Sequence, residues 1–180
     1  MNFEYSHLNL KLACMAYWRY RRQFDLVVDE VEYSFYVNSI GGRTDVLALR
    51  FGGDGGLIEV VETEVKFSRQ DLRSELRGQK RQRHLEKLAL PDRYFIAVPA
   101  LQDMREAALD VLEDLNPDYG LLTVSRRSKH SPVWWDVRVA RPAKPLSPDR
   151  DKTAFIFFGP AMRRASALLL RMIEHGMLKR

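Results

Sequence analysis

Asp45 stands near the start of one β-rich run, and Glu64-Val65-Lys66 falls inside the next, mostly apolar one. Two carboxylates and a lysine on neighbouring strands are the layout of a Mg²⁺-dependent site for cleaving phosphodiester bonds. Side chains two apart on a strand share a face, roughly 6.5–7 Å from each other, so Glu64 and Lys66 project together. Between the runs, Phe51-Gly52-Gly53-Asp54-Gly55-Gly56 supplies the positive φ values of a tight hairpin. That hairpin sets the Asp45 strand beside the Glu64 strand. Carboxylates brought close in this way repel unless a cation lies between them, and a hard ion such as Mg²⁺ takes a few such oxygens together with water and phosphate. Lys66 would then stabilise the negative charge that builds on a phosphate during in-line attack. Leu57, Ile58, Val60, Val61, Val65 and Phe67 make the Glu64 run central in a sheet, where a charge needs a partner or a metal. Glu59 and Glu62 add acid to the same run, and only Glu64 has a lysine two residues on.

The elements that must hold these residues follow from periodicity. Residues 4–22 read as a helix whose core stripe is Tyr5, Leu8, Leu12, Met15 and Ala16. Residues 24–38 alternate as a strand and end in the turn residues Asn38 to Gly42. Ser68 and Asp71 resemble a capping box opening one helix that runs to about Leu88, with a basic outer face and Pro91 as its stop. A strand over Tyr94–Val98, a helix over 101–115 and strands over Tyr119–Val124 and 133–140 follow. Arg141 to Asp151 reads as a proline-rich loop, and a last helix covers 151–175 with Gly176 as its stop. This order gives an α/β fold, a mixed central β-sheet flanked by helices, in a single domain over residues 1–180. The helix beginning at Ser68 points its N-terminus at the place a phosphate would occupy beside Lys66.

The chain has 180 residues and 46% apolar content, enough for a sizeable core, and a net charge of +5. Arginines cluster at Arg19, Arg21 and Arg22, again at Arg69, Arg73, Arg77, Lys80, Arg81 and Arg83, and at Arg126, Arg127 and Lys129. Such clustering suggests a polyanion, nucleic acid above all. Tyr17, Trp18 and Tyr20 interleave the first cluster and read as packing residues rather than stacking platforms. The single cysteine, Cys14, reads as a small buried hydrophobe. Neither a signal sequence nor a membrane span is legible, so a soluble, cytoplasmic protein is expected. The four histidines, at 7, 84, 130 and 175, have no metal-ligand spacing, and no nucleotide-cradling glycine loop or nucleophile elbow is present.

Arg43-Thr44-Asp45-Val46-Leu47-Ala48, Val61 to Leu72, Tyr94-Phe95-Ile96-Ala97-Val98-Pro99 and Asp118-Tyr119-Gly120-Leu121-Leu122 together resemble the PD-(D/E)XK nuclease superfamily, and within it the MmcB-like group of DNA repair proteins. The likeness runs from about residue 43 to the end, including Ala161–Leu170. It implies a restriction-endonuclease-like core and a Mg²⁺-dependent endodeoxyribonuclease, with Mn²⁺ as the substitute ion. DNA is the implied substrate. Asp45, Glu64 and the Val65 backbone carbonyl are the implied metal ligands, with Lys66 as the catalytic lysine. Interest also falls on Ser68, Asp71 and Glu75, which match the group's pattern after the lysine, although helix capping is the favoured reading of Ser68 and Asp71. Many superfamily members carry a further glutamate on the first helix or strand. Here the first helix offers only Glu4, and Glu30, Glu32 and Glu62 stand as alternatives. Arg69, Arg73, Arg77, Lys80 and Arg81 are the expected phosphate contacts, which position a duplex without reading its sequence. A homodimer or a larger repair or recombination assembly fits an enzyme that cuts both strands. The alternative is a non-catalytic nucleic-acid-binding or interaction subunit that keeps the nuclease fold.

Overall fold

The computed structural model describes residues 5–35, 40–87, 91–126, 135–146 and 157–174. Six strands form one open sheet in the order of the chain: β1 Leu26–Phe35, β2 Ile40–Phe51, β3 Leu57–Val65, β4 Arg93–Pro99, β5 Gly120–Arg126 and β6 Trp135–Arg141. The first three pair antiparallel, β3, β4 and β5 run parallel, and β6 returns antiparallel on β5. The expected α/β fold with a mixed sheet is therefore observed. Helical crossovers explain the parallel part, because two parallel strands cannot be joined by a tight turn. Helices α2 Arg69–Ser74 and α3 Gly78–Lys87 link β3 to β4, and α4 Gln102–Leu115 links β4 to β5.

Helices cover both faces of the sheet. On one, α1 His7–Ala16 lays Leu10, Ala13 and Cys14 against Val46, Ala48, Val61, Val65, Phe95 and Leu122. On the other, Leu72 of α2 and Met104, Ala108 and Leu112 of α4 pack on Tyr94, Ile96, Val98 and Leu121. Helix α5 Gly159–Glu174, with Phe157 just before it, closes the β1 end, Phe157 and Ala161 packing against Val28, Val31, Leu47 and Leu49.

Several local expectations are corrected. The first helix buries Leu10, Cys14 and Trp18, four residues apart, while Leu8 and Leu12 are 57% and 51% exposed. Of the expected stripe, Leu8, Leu12 and Ala16 face outward, while Tyr5 and Met15 are partly buried against the core. The indole decides the rotation: Trp18 packs on Phe24 and Phe95, and its Nε1–H donates to Thr63 Oγ1 at 3.0 Å. After Ala16 the backbone widens into a π-helical turn, Tyr17–Arg21. The single helix expected after Ser68 is broken into α2 and α3, with Gly78 at φ +51 in the joint. The β2–β3 turn is as expected, with Gly55 at φ +79 and Gly52 and Gly56 bonded across it at 2.8 Å. The expected start of the last helix at 151, its stop at Gly176, and residues Glu4, Arg127, Lys129, His130 and His175 lie outside the described residues.

Gly120 begins β5 under the Phe95 ring, where an added Cβ would sit 2.3 Å from Phe95 Cε1 and 2.8 Å from the Ala143 backbone nitrogen. Backbone on one side and a packed aromatic on the other leave little room to yield, so Gly120→Ala is expected to destabilise by about 1–3 kcal/mol. Thermal unfolding of the two proteins measures it as a drop of several degrees.

Candidate functional site

Strand pairing sets Asp45 beside Val65, the residue between Glu64 and Lys66. The β2–β3 register places Val46 opposite Thr63, and one step further along lies Asp45, whose Oδ2 accepts the Val65 backbone N–H at 2.8 Å. The Asp45 carboxylate is thereby fastened to the peptide unit that separates Glu64 from Lys66. His7 Nε2, on the first turn of α1, lies 3.2 Å from the same oxygen. Its ring also meets Phe67 edge-on at 6.5 Å. Cys14 is buried nearby, and that burial, with the Asp45 charge, pushes its thiol up to about 12. Such a thiol is inert at neutral pH, in keeping with the reading of Cys14 as a small hydrophobe.

Glu64 and Lys66 share a side, as the alternation of the strand requires. Lys66 Nζ stands 2.9 Å from Glu64 Oε1, and its backbone N–H continues the parallel ladder to the Ala97 carbonyl at 2.9 Å. The lysine is only 3% exposed. Three carboxylates surround its ammonium: Glu64, then Glu75 Oε1 at 2.8 Å, then Asp71 Oδ1 at 3.7 Å. Burial alone would lower the Lys66 pKa, but the charges of Glu64 and Glu75 raise it above its ordinary value of 10.5. The lysine is a fixed cation in this setting.

Glu75 caps the end of α2, immediately before the break that leads into α3. Its Oε1 accepts from Lys66 and from Lys80 Nζ at 3.0 Å, and its Oε2 lies 2.8 Å from His84 Nε2. Burial would push this carboxyl up, yet the bond to His84, with Lys66 and Lys80, holds it well below the ordinary 4.5. The His84 ring packs against both Tyr94 at 5.3 Å and Tyr119 at 5.8 Å, and the Tyr119 hydroxyl donates to the His84 carbonyl at 3.4 Å. Ser68 caps α2 by accepting the Asp71 N–H at 3.1 Å, as the capping reading requires.

Of the alternative acids, Glu30 and Glu32 are placed elsewhere, on β1, while Glu62 shares the Glu64 face of β3. Glu30 Oε1 bonds Lys11 Nζ at 2.6 Å, and its Oε2 lies 3.7 Å from Arg164. Its backbone φ of +50 marks an irregularity in β1. Glu32 is exposed and lines, with Glu30, Arg43, Arg163 and Arg164, an open cleft of about 420 Å³. Glu62 is fully buried, opposite Leu47 on one side and Tyr94 on the other. The acid that the fold brings closest to Lys66 from another element is Glu75, and its partner His84 gives no spacing signal in the sequence. Of the basic residues after the lysine, Arg69, Arg73, Arg77 and Arg81 are exposed, and Arg69 pairs with Asp103 of α4 at 3.3 Å. Lys80 is turned instead onto Glu75 and Ser74. In the first cluster, Arg19 donates to the Phe24 carbonyl and Arg21 to Asp136 and the Val137 carbonyl.

Among the described residues no group of three or more His, Cys, Asp or Glu side chains is arranged to hold a metal ion. A Mg²⁺ ion needs fewer, commonly one or two carboxylates with water and phosphate oxygens completing its octahedron. Asp45, Glu64 and the Val65 carbonyl are oxygen donors from two adjoining strands, and in kind they fit a hard cation. Among the described residues no helix is long and apolar enough to cross a membrane. No protein-family model matches the chain, and neither does any curated protein.

The depressed Glu75 carboxyl and the raised Lys66 ammonium fix the sign of a pH dependence. Glu75 contributes stability that is complete above its unfolded value near 4.5 and is lost as pH falls through its lower folded value. Lys66 contributes stability that is complete below 10.5 and is lost as pH rises through its higher folded value. Urea unfolding between about pH 5 and about pH 3 is expected to show a steeper loss of stability in the parent than in Glu75→Gln.

Proposed function

We propose that the protein is a Mg²⁺-dependent nuclease acting on DNA, with a restriction-endonuclease-like core of the PD-(D/E)XK kind. One observation carries the reading: Asp45 accepts the N–H of Val65, the residue between Glu64 and Lys66, at the end of the strand where Lys66 pairs with Glu64. The ion, when bound, would polarise the attacking water and neutralise charge on the scissile phosphate. Asp45, Glu64 and the Val65 carbonyl would hold it. Lys66 acts as a positive charge rather than as a base, because Glu64 and Glu75 keep its proton in place. Its role is to stabilise the charge that accumulates on the phosphate oxygens as the bond breaks. Exposed Arg69, Arg73, Arg77 and Arg81 follow the lysine along α2 and α3, and the net charge of +5 favours a polyanion. These contacts bind backbone phosphates and set register.

A second reading, a nucleic-acid-binding subunit that keeps this fold without turnover, has one observation in its favour. Glu64 Oε1 is closed onto Lys66 at 2.9 Å, so the ammonium already offsets part of the charge that this carboxylate would offer an ion.

Supercoiled plasmid incubated with Mg²⁺, Mn²⁺ or EDTA separates the readings. Metal-dependent nicking by the parent that disappears in Asp45→Ala and Lys66→Ala supports the nuclease, with DNA affinity of Lys66→Ala staying within a few-fold of the parent. Salt-sensitive DNA binding with no cleavage in any metal selects the subunit, and equal cleavage by Lys66→Ala removes the lysine from the mechanism.

A further inference from the structure

The buried ammonium of Lys66 has two close counter-ions, and they come from different elements. Glu64 is a half-buried side chain on the same strand, two residues away. Glu75 comes from another element, is 4% exposed, and has both oxygens bonded, Oε1 to Lys66 and Lys80 and Oε2 to His84. His84 is 3% exposed, and its ring packs against a contacting pair of fully buried tyrosines, Tyr94 and Tyr119. The helix break at Gly78 is what lets α3 fold back so that His84 reaches Glu75 across nine residues. A continuous helix could not do this, since it brings only residues three or four apart into contact.

We propose that Glu75, oriented by His84, is the fixed counter-ion that holds the Lys66 ammonium at the end of β3, so that the lysine keeps its place when the Glu64 carboxylate engages a cation or a substrate. Glu75 is thus a positioning residue acting through Lys66. Its relevance to cleavage rests on the nuclease reading, but its hold on Lys66 does not. The logic is that of a preorganised site, in which a charge is anchored before the substrate arrives rather than at the moment of reaction. If Glu64 were the sole partner, each excursion of Glu64 would leave an ammonium buried without compensation, a cost that the lysine would avoid by leaving the pocket.

Lysine ammonium groups that are buried and hydrogen-bonded exchange protons slowly enough to give a ¹H–¹⁵N signal, and two such groups exist among the described residues. Lys66 is one, and Lys11, 3% exposed and paired with Asp29 and Glu30, is the internal reference. In metal-free Glu75→Gln the Lys66 signal is expected to disappear, its proton exchange faster by about tenfold or more, while the Lys11 signal persists. A Lys66 signal unchanged beside an unchanged Lys11 signal would overturn the proposal. Should both vanish because the variant does not fold, the same signals are read in two His84 variants. His84→Gln, whose amide can still donate to Glu75, is expected to keep the Lys66 signal, and His84→Leu to lose it. An unaltered signal in His84→Leu overturns the orienting role. Where the parent nicks DNA, Glu75→Gln is expected to lower kcat by about tenfold with KM for DNA within about twofold. A parent that cleaves nothing ends the nuclease reading, while the ammonium spectrum still decides whether Glu75 holds Lys66.

Discussion

A lysine ammonium buried at the end of a central strand must be neutralised on the spot, and much of this molecule is arranged around that requirement. Lys66 emerges between β2 and β4, where solvent cannot compensate its charge. One carboxylate comes from its own strand, and two more come from the helix that follows. The second of these, Glu75, would itself be costly to bury without cations, which is why Lys80 and His84 fold onto it. Each charge is the condition for burying the next, so the cluster forms as a unit or fails as one.

The same end of the sheet is tied down from the other face by a different bond. Asp45 accepts the Val65 N–H where the β2–β3 register gives out. A side chain thus completes a ladder that the backbone leaves open. Cys14 of the first helix is buried nearby, and the carboxylate is held by one backbone donor and by His7.

Much of this was legible in the residues. Alternation on an apolar strand placed Glu64 beside Lys66, and the glycine-rich turn placed Asp45 across from them, because both are rules of one or two strands. Ser68 as a cap is equally local. The rotation of the first helix was not legible, since Leu8 and Leu12 have the same periodicity as Leu10 and Cys14, and only the contact of Trp18 with Thr63, forty-five residues on, selects the face. Glu75 drew attention through family resemblance alone. His84 carried no signal, because its meaning depends on a left-handed glycine that turns one helix into two. Lys80 shows the converse: within an arginine-rich helix it reads as one more phosphate contact, yet a buried acid claims its charge.

One clamp bears on how the chain is made rather than on what it does. Arg164 of α5 bonds the Asp29 carboxylate and carbonyl across 135 residues, and Ala161 and Phe157 cover Val28, Val31, Leu47 and Leu49. During synthesis β1 and β2 leave the ribosome long before the helix that shields them. Closing so long a loop comes late, because its entropy must be met before its contacts reward it. Until then the nascent hairpin presents an aliphatic face to its surroundings, the kind of surface that chaperones recognise and that other nascent chains can capture.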